Sequence, residues 1–160
     1  MRHTAEDGSI AGYSNRLHFD PTGILALPCG VLVPAAMERV IDADTAANLN
    51  AACWPEGANG PTTPEADLVL QKRQDEVFLI PDILCNSGGV VVSYFEWVQD
   101  LQQLFWEEEE VTRREYHILD RAFDQMVMRS KADKVPHRTA AMAIGVEKVR
   151  AAKNTRGLFP

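Results

Sequence analysis

The stretch ACWPEGANGPTTPEADLVLQKRQDEVFLIP, residues 52–81, contains two strand-like segments with a helix pattern between them. Residues 52–54 form the first segment, and residues 76–81 form a second, apolar segment that ends in proline. Between them, Thr63 is a good N-cap and is followed by proline at the first helical position, so residues 64–73 are predicted to form a helix. A strand, a helix and a strand in this order predict a parallel sheet with helical crossovers.

The upstream sequence extends this alternation. Residues 30–34 (GVLVP) are a β-branched run closed by proline, which predicts a buried strand, and residues 9–13 (SIAGY) fit another short strand. Residues 35–51 indicate one or two short helices. The strand at residues 52–54 is a weaker one, because Pro55 should end it at once. The sequence therefore predicts an α/β fold.

Downstream of residue 87 the pattern is helical almost to the end of the chain. The first helix, within residues 90–106, carries an apolar stripe at helical spacing that is formed by Val90, Tyr94, Trp97, Leu101 and Leu104. Further helices are predicted over residues 107–130 and 136–157, the latter bounded by a proline and a glycine. We expect these helices to pack on the sheet or on a neighbouring domain.

The composition excludes several classes of function. The chain has 160 residues and a formal net charge of -7, whereas a nucleic-acid-binding protein needs a basic surface. No apolar run is long enough to span a membrane, and the N-terminus lacks the apolar core of a secretory signal. The three cysteines are far apart, with no CxxC pair and no histidine at ligand spacing. This pattern indicates reduced thiols, no metal site and a cytoplasmic protein.

Three loops rich in small residues follow the predicted strands, at residues 34–36, 56–63 and 85–89. In open parallel sheets, ligands bind beyond the carboxyl ends of the strands. Asn59 and Asn86 each offer a donor and an acceptor on a short side chain, which suits a carboxamide or a ribose. The helix that opens in the third loop directs free N–H groups and a positive dipole outward, which would stabilise an anionic group.

Each of these features also has a simpler interpretation. Residues 56–67 fit a tight loop followed by a well-capped helix, and residues 86–89 fit an ordinary glycine-rich helix entry. A lone helical serine such as Ser93 commonly bonds its own backbone. His117 and His137 lie in polar, helical surroundings and are expected at the surface. From the residues alone, the binding-site interpretation and the simpler one both stay open.

Three long motifs resemble a known family. EGANGPTTPEAD (residues 56–67), PDILCNSGGVVVSYFEWVQ (81–99) and RTAAMAIGVEKVRAAKNTRG (138–157) are together similar to glutamate dehydrogenase and its leucine, phenylalanine and valine relatives. The resemblance extends to GSIAGY (8–13) and CGVLVPAAMERVI (29–41), so it runs nearly end to end. Within the second motif, VSYFEWVQ favours the glutamate branch.

The resemblance implies a fold and an activity. Such enzymes convert L-glutamate reversibly to 2-oxoglutarate and ammonia with NAD or NADP, and they commonly form homo-hexamers. Their N-terminal substrate domain and C-terminal dinucleotide domain enclose the active site. Residues 1–87 would be the second half of a Rossmann-like dinucleotide-binding domain. Residues 88–160 would be a C-terminal helical segment that packs on both domains.

The resemblance also implies a role for four residues at the nicotinamide end of the cofactor. Asn59 would lie beside the nicotinamide, and Asn86 would contact the nicotinamide or its ribose. Gly57 and Ala58 would let the backbone come close to the cofactor.

Four more residues complete the implied site. Ala35 and Ala36 would border the ribose and phosphate region of the cofactor. Val90 and Ser93 would line the amino-acid pocket, with the Ser93 hydroxyl binding the substrate γ-carboxylate. A serine at this place argues against leucine or phenylalanine as the substrate, because apolar side chains need no such partner.

The chain also departs from the family pattern. Gly30, Trp54 and Pro55 stand where the family usually has other residues, and Ser87 replaces the usual alanine.

The fingerprint G-x-G-x-x-G is not found, and the catalytic lysine and its aspartate belong to a substrate domain that we expect to be absent. We therefore expect no catalytic residue in this chain, no turnover by the chain alone and no tight binding of NAD. Two interpretations stay open: the C-terminal part of a glutamate dehydrogenase, or a non-catalytic remnant that acts as an interaction module with an intact family member.

Overall fold

The computed structural model describes residues 23–157. The strand predicted at residues 9–13 lies outside the described residues. After a 3-10 helix at Gly23–Ala26, three strands follow, β1 (Cys29–Val31), β2 (Ala51–Pro55) and β3 (Phe78–Ile80). They form a parallel sheet in the order β1-β2-β3. The predicted parallel sheet is confirmed.

The strand predicted at residues 52–54 is confirmed as β2, which ends with Pro55, but it is the central strand of the sheet rather than a weak one. A proline is tolerated here because no ladder bond needs its N–H. The neighbouring Glu56 N–H donates to Ile80 O at 3.0 Å, whereas β1 pairs no further along β2 than Cys53. The strand is also anchored by Trp54, whose side chain is fully buried.

The described residues contain six α-helices. They are α1 (Ala43–Asn48), α2 (Pro64–Lys72), α3 (Asp82–Cys85), α4 (Gly88–Gln102), α5 (Glu108–Asp133) and α6 (His137–Arg156). The predicted helices over residues 64–73, 107–130 and 136–157 are confirmed. Residues 35–51 contain one six-residue helix. It begins late because Ile41 forms a parallel β-bridge with Thr62, and the N-cap Asp42 follows that bridge.

The main core lies between the sheet and the first two helices. It is formed by Ile41, Ala46, Leu49, Ala51, Trp54, Ala66, Leu70 and Val77. Helices α5 and α6 lie beyond β3. There Phe78 contacts Phe123 with ring centroids 6.0 Å apart and His137 with centroids 4.5 Å apart. His137 was expected at the surface, but it is half-buried and its Nδ1 lies 2.7 Å from Leu79 O, so it joins α6 to the sheet.

Helix α4 has the predicted position but not the predicted buried face. Its buried side chains are Phe95 and Gln99. Within the described chain, the predicted apolar stripe is exposed at Val90, Tyr94, Trp97, Leu101 and Leu104. A helical period identifies the apolar side of a helix but cannot show what covers it. No helix within residues 23–157 combines the length and the apolar character that crossing a membrane requires.

The start of α2 provides a test of local structure. The Thr63 hydroxyl oxygen accepts from Ala66 N–H at 3.2 Å, and Thr63 is nearly buried. Replacing Thr63 with Ala should lower the free energy of unfolding by about 1 kcal/mol, because this N–H then has no partner. Thr63→Ser keeps the hydroxyl and should retain most of the stability. Urea unfolding of both variants checks this, and equal losses would contradict a capping role.

Candidate functional site

An open crevice of about 1050 Å³ lies beyond the carboxyl ends of the strands. It is lined by Ala35, Ala36, Met37, Glu38, Gly57, Ala58, Asn59, Ile83, Asn86, Ser87 and Val90. All six residues predicted for the cofactor are therefore in one place, together with Val90 from the predicted substrate pocket. Ser93 does not line the crevice. It is exposed three residues further along α4.

Two loops meet closely at the floor of this crevice. A Cβ on Gly57 would stand 3.0 Å from the Ala35 Cβ and 3.2 Å from Val33 Cγ1. The Ala58 N–H donates to Pro34 O at 2.8 Å. Glycine is therefore needed at position 57 for the loop after β2 to pack on the loop after β1.

Asn86 determines which hydrogen-bonding groups Asn59 presents. The Asn86 Nδ2 amide donates to Asn59 Oδ1 at 2.6 Å and to Gly57 O at 3.3 Å. The bond engages the oxygen of Asn59 and the nitrogen of Asn86. It leaves the Asn59 NH₂ as a donor and the Asn86 carbonyl as an acceptor beside the crevice.

The N-terminus of α4 already has a negative charge nearby. A Cβ on Gly88 would stand 2.5 Å from Glu115 Oε1 of α5, so glycine at this position makes room for that carboxylate. A carboxylate near the first turn of a helix interacts favourably with the helix dipole. The sequence predicted that an anionic group would be stabilised at this terminus, and the Glu115 carboxylate of the chain itself lies close to it.

A group of charged side chains lies behind the loop after β2. The Arg138 guanidinium of α6 contacts Glu56 at the end of β2, Asp67 of α2 and Asp82 of α3. Glu56 is fully buried and also accepts from the Thr62 hydroxyl at 2.5 Å. Burial acts to lower the pKa of Arg138, but the hydrogen bonds and charges of Glu56 and Asp67 raise that pKa above its ordinary value.

Sequence reasoning missed this group. The available signal was a carboxylate directly after a buried strand, because a buried charge needs a partner. The partner lies 82 positions away on another helix, so spacing alone could not identify it.

The cysteines are free thiols and half-buried. Burial raises the pKa of the Cys85 thiol, and the negative charges of Glu56 and Asp82 add to that rise, so Cys85 stays protonated at neutral pH. Across the described ranges there is no cluster of three or more His, Cys, Asp or Glu side chains that could hold a metal ion.

Comparisons with known proteins identify the family of the chain. The family model for Glutamate/Leucine/Phenylalanine/Valine dehydrogenase matches residues 1–157. The chain belongs to this dehydrogenase family. It is 40% identical over 160 residues to a glutamate dehydrogenase of Thermotoga maritima, and 43% identical over 134 residues to an NAD-specific glutamate dehydrogenase of Staphylococcus aureus.

A solved glutamate dehydrogenase has the same fold. The hetero-hexameric glutamate dehydrogenase of Thermus thermophilus, in a Leu-bound form, superposes on 99% of this chain with a TM-score of 0.85 and 33% identity. The Rossmann-like class and the helix-rich C-terminal part are thus confirmed. The chain spans 38% of the Thermotoga protein, 32% of the Staphylococcus protein and 37% of the Thermus chain.

The three motifs that carried the resemblance to the dehydrogenase family meet in space. Arg138 is the first residue of the third motif, and it bonds Glu56 of the first and Asp82 of the second. Asn86 of the second motif bonds Asn59 of the first. The motifs therefore belong to one structural unit around the crevice.

Proposed function

We propose that this chain supplies the nicotinamide end of a dehydrogenase active site that interconverts L-glutamate with 2-oxoglutarate and ammonia, using NAD or NADP. The observation that carries this proposal is the convergence of the six predicted cofactor residues and Val90 on one crevice. The relatives in the same family, named as glutamate dehydrogenases, support the reaction.

The polar groups beside the crevice fit a nicotinamide carboxamide. A carboxamide presents one carbonyl acceptor and one NH₂ donor, and the Asn pair leaves one NH₂ donor on Asn59 and one carbonyl acceptor on Asn86. The small side chains of Ala35, Ala36 and Ala58 leave room for a flat ring and a ribose. When bound, the nicotinamide supplies the hydride chemistry, and the chain's own residues orient the ring.

The substrate side of the proposed site lies on α4. Val90 is 69% exposed at the edge of the crevice, and Ser93 is exposed three residues later on the same helical face. The Ser93 hydroxyl would donate to the γ-carboxylate of glutamate, while Val90 would contact its methylene groups. The donor at Ser93 favours glutamate over an apolar amino acid.

We infer a division of the chain between the two parts of this site. Residues 1–87 would belong to the cofactor domain and residues 88–160 to a helical segment, since the described sheet ends at Ile80. The catalytic lysine and aspartate would come from a separate substrate domain, so the chain alone should not turn over glutamate. We also propose a cytoplasmic protein that works within an oligomer, as the hetero-hexameric relative suggests. That the oligomer consists of identical subunits is proposed from the family resemblance alone.

A second candidate is a non-catalytic module that docks on an intact family member. The exposed apolar stripe of α4 favours it, because exposed apolar surface of this kind is typical of contact sites. Binding of a nicotinamide dinucleotide at the crevice separates the two candidates, because only the first needs it.

Replacing Asn86 with Ala should weaken NADH binding by about tenfold, because the carboxamide loses a direct partner and Asn59 loses its orientation. Titration of the 160-residue chain with millimolar NADH, followed by amide NMR, measures this. Asn48→Ala is a matched control, since Asn48 is exposed on α1 and bonds only its own helix. Shifts at residues 57–59 that are lost in the Asn86 variant alone support the proposal. If unsubstituted chain shows no shifts at the crevice, the cofactor site is refuted.

A further inference from the structure

One guanidinium joins three carboxylates, one directly after β2, one on α2 and one on α3. Arg138 Nη2 lies 2.7 Å from Glu56 Oε1 and 2.9 Å from Glu56 Oε2, so one nitrogen makes a bifurcated contact with both oxygens. Arg138 Nε donates to Asp67 Oδ1 at 2.9 Å, and Nη1 donates to Asp82 Oδ1 at 3.1 Å. Each of the three guanidinium nitrogens thus donates to a different carboxylate.

The same carboxylates hold the loop at residues 57–59 from both ends. Glu56 precedes the loop, and its Oε2 accepts from Asp82 N–H at 3.0 Å. Asp82 Oδ2 accepts from the N–H of Gly60, which follows the loop, at 2.8 Å. Gly60 has a φ of +54°, a left-handed conformation that glycine adopts readily in tight turns. The loop is therefore tied at each end to a group that Arg138 contacts.

Charge alone does not explain the choice of arginine. Three carboxylates within reach of one another repel, and a buried Glu56 is unfavourable without a cation. A lysine would supply the charge and three N–H donors, but these rotate about one atom on a flexible stem and do not fix the directions of three acceptors. The planar fork of arginine sets where Glu56 and Asp82 stand, and through them where the loop stands.

We propose that Arg138 is a positioning residue of the candidate cofactor site. It holds residues 57–59, and with them the Asn59 amide, in the geometry that receives the carboxamide. This inference rests on the proposed function for its consequence, but the contact between Arg138 and the loop can be tested without any ligand. Arg138 itself does not line the crevice.

Hydrogen–deuterium exchange of the 160-residue chain tests the positioning role. In Arg138→Lys we expect the amides of Ala58 and Gly60 to exchange roughly tenfold to a hundredfold faster, the factor that corresponds to losing one hydrogen bond to a charged group. Amides in β2 and α5 should keep their rates, because lysine retains the charge. Arg129→Lys is the matched control, since Arg129 also pairs with a carboxylate, in a bidentate contact with Glu147 away from the loop.

A purely structural role predicts a different result. If Arg138 only neutralises Glu56, then Arg138→Lys should leave the loop amides unchanged, which would overturn the inference. The double variant Arg138→Met with Glu56→Gln removes both charges of this pair and should lose less global stability than Arg138→Met, while the loop amides still exchange fast. Recovery of the loop amides together with stability would also overturn it.

NADH titration of the same variants tests whether the position of the loop affects cofactor binding. We expect Arg138→Lys to weaken NADH binding by about tenfold with no change in the shifts of α5. Equal affinity in the variant and the unsubstituted chain would overturn the inference. If the unsubstituted chain itself does not bind NADH at the crevice, the proposed function fails, and the exchange rates still decide whether Arg138 holds the loop.

Discussion

Replacing Trp54 with Ala should lower the free energy of unfolding by about 3–5 kcal/mol, the range found when a large buried aromatic side chain is removed from a core. Trp54 lies on the central strand, is fully buried, and is the largest fully buried side chain of the described chain. Such a loss is a large part of the stability of a small domain. Urea unfolding followed by circular dichroism measures it.

Trp54→Phe is the control for this experiment. The Trp54 Nε1–H is buried and finds no hydrogen-bond partner among residues 23–157. Phenylalanine keeps much of the ring volume and removes that unpaired donor, so the loss should be well below that of alanine. A Phe variant as unstable as the Ala variant would show that the indole N–H has a role that the described contacts do not include.

Replacing Arg138 with Met should destabilise the chain by about 3–5 kcal/mol, because breaking one side of a buried ion pair leaves the other charge uncompensated. The Glu56 side chain is 0% exposed and that of Arg138 is 23% exposed, so water cannot take over the lost contacts. The loss should be smaller in the double variant with Glu56→Gln, since no buried charge then remains. The two unfolding curves in urea measure the difference.

Arg129→Met is the control for burial. Arg129 also makes two-pronged contacts with a carboxylate, but its partners Asp133 and Glu147 are exposed at the surface. Exposed pairs are screened by water and add little to stability. If Arg129→Met were as destabilising as Arg138→Met, the difference between the two sites would not come from burial.

Local patterns predicted much of the fold. The Thr63–Pro64 cap, the β-branched strands and the three long helices are local features, and each was found near its predicted position. The strength of β2 was misjudged because a proline only removes its own N–H from the hydrogen bonds between strands. Next to Pro55, the bond to β3 is made by the N–H of Glu56 instead. The buried face of α4 was misjudged because it depends on what lies next to the helix.

The candidate site could be predicted only in part. Its lining residues follow the strands directly, so the topology of a parallel sheet was enough to bring Asn59 and Asn86 together. Their mutual hydrogen bond depends on side-chain orientation, which no spacing encodes. Arg138 was not predicted either, because it lies on α6, far along the chain from the Glu56 that it contacts.

The distance along the chain between Glu56 and Arg138 has a consequence for synthesis. The polypeptide leaves the ribosome N-terminus first, so β1, β2 and β3 are complete before α6 has been made. Until residue 138 emerges, the Glu56 carboxylate has no cation, and it should stay hydrated rather than enter the core. Forming this contact also costs the conformational entropy of closing a loop of 82 residues. We expect the crevice to be among the last parts of the nascent chain to take its final shape.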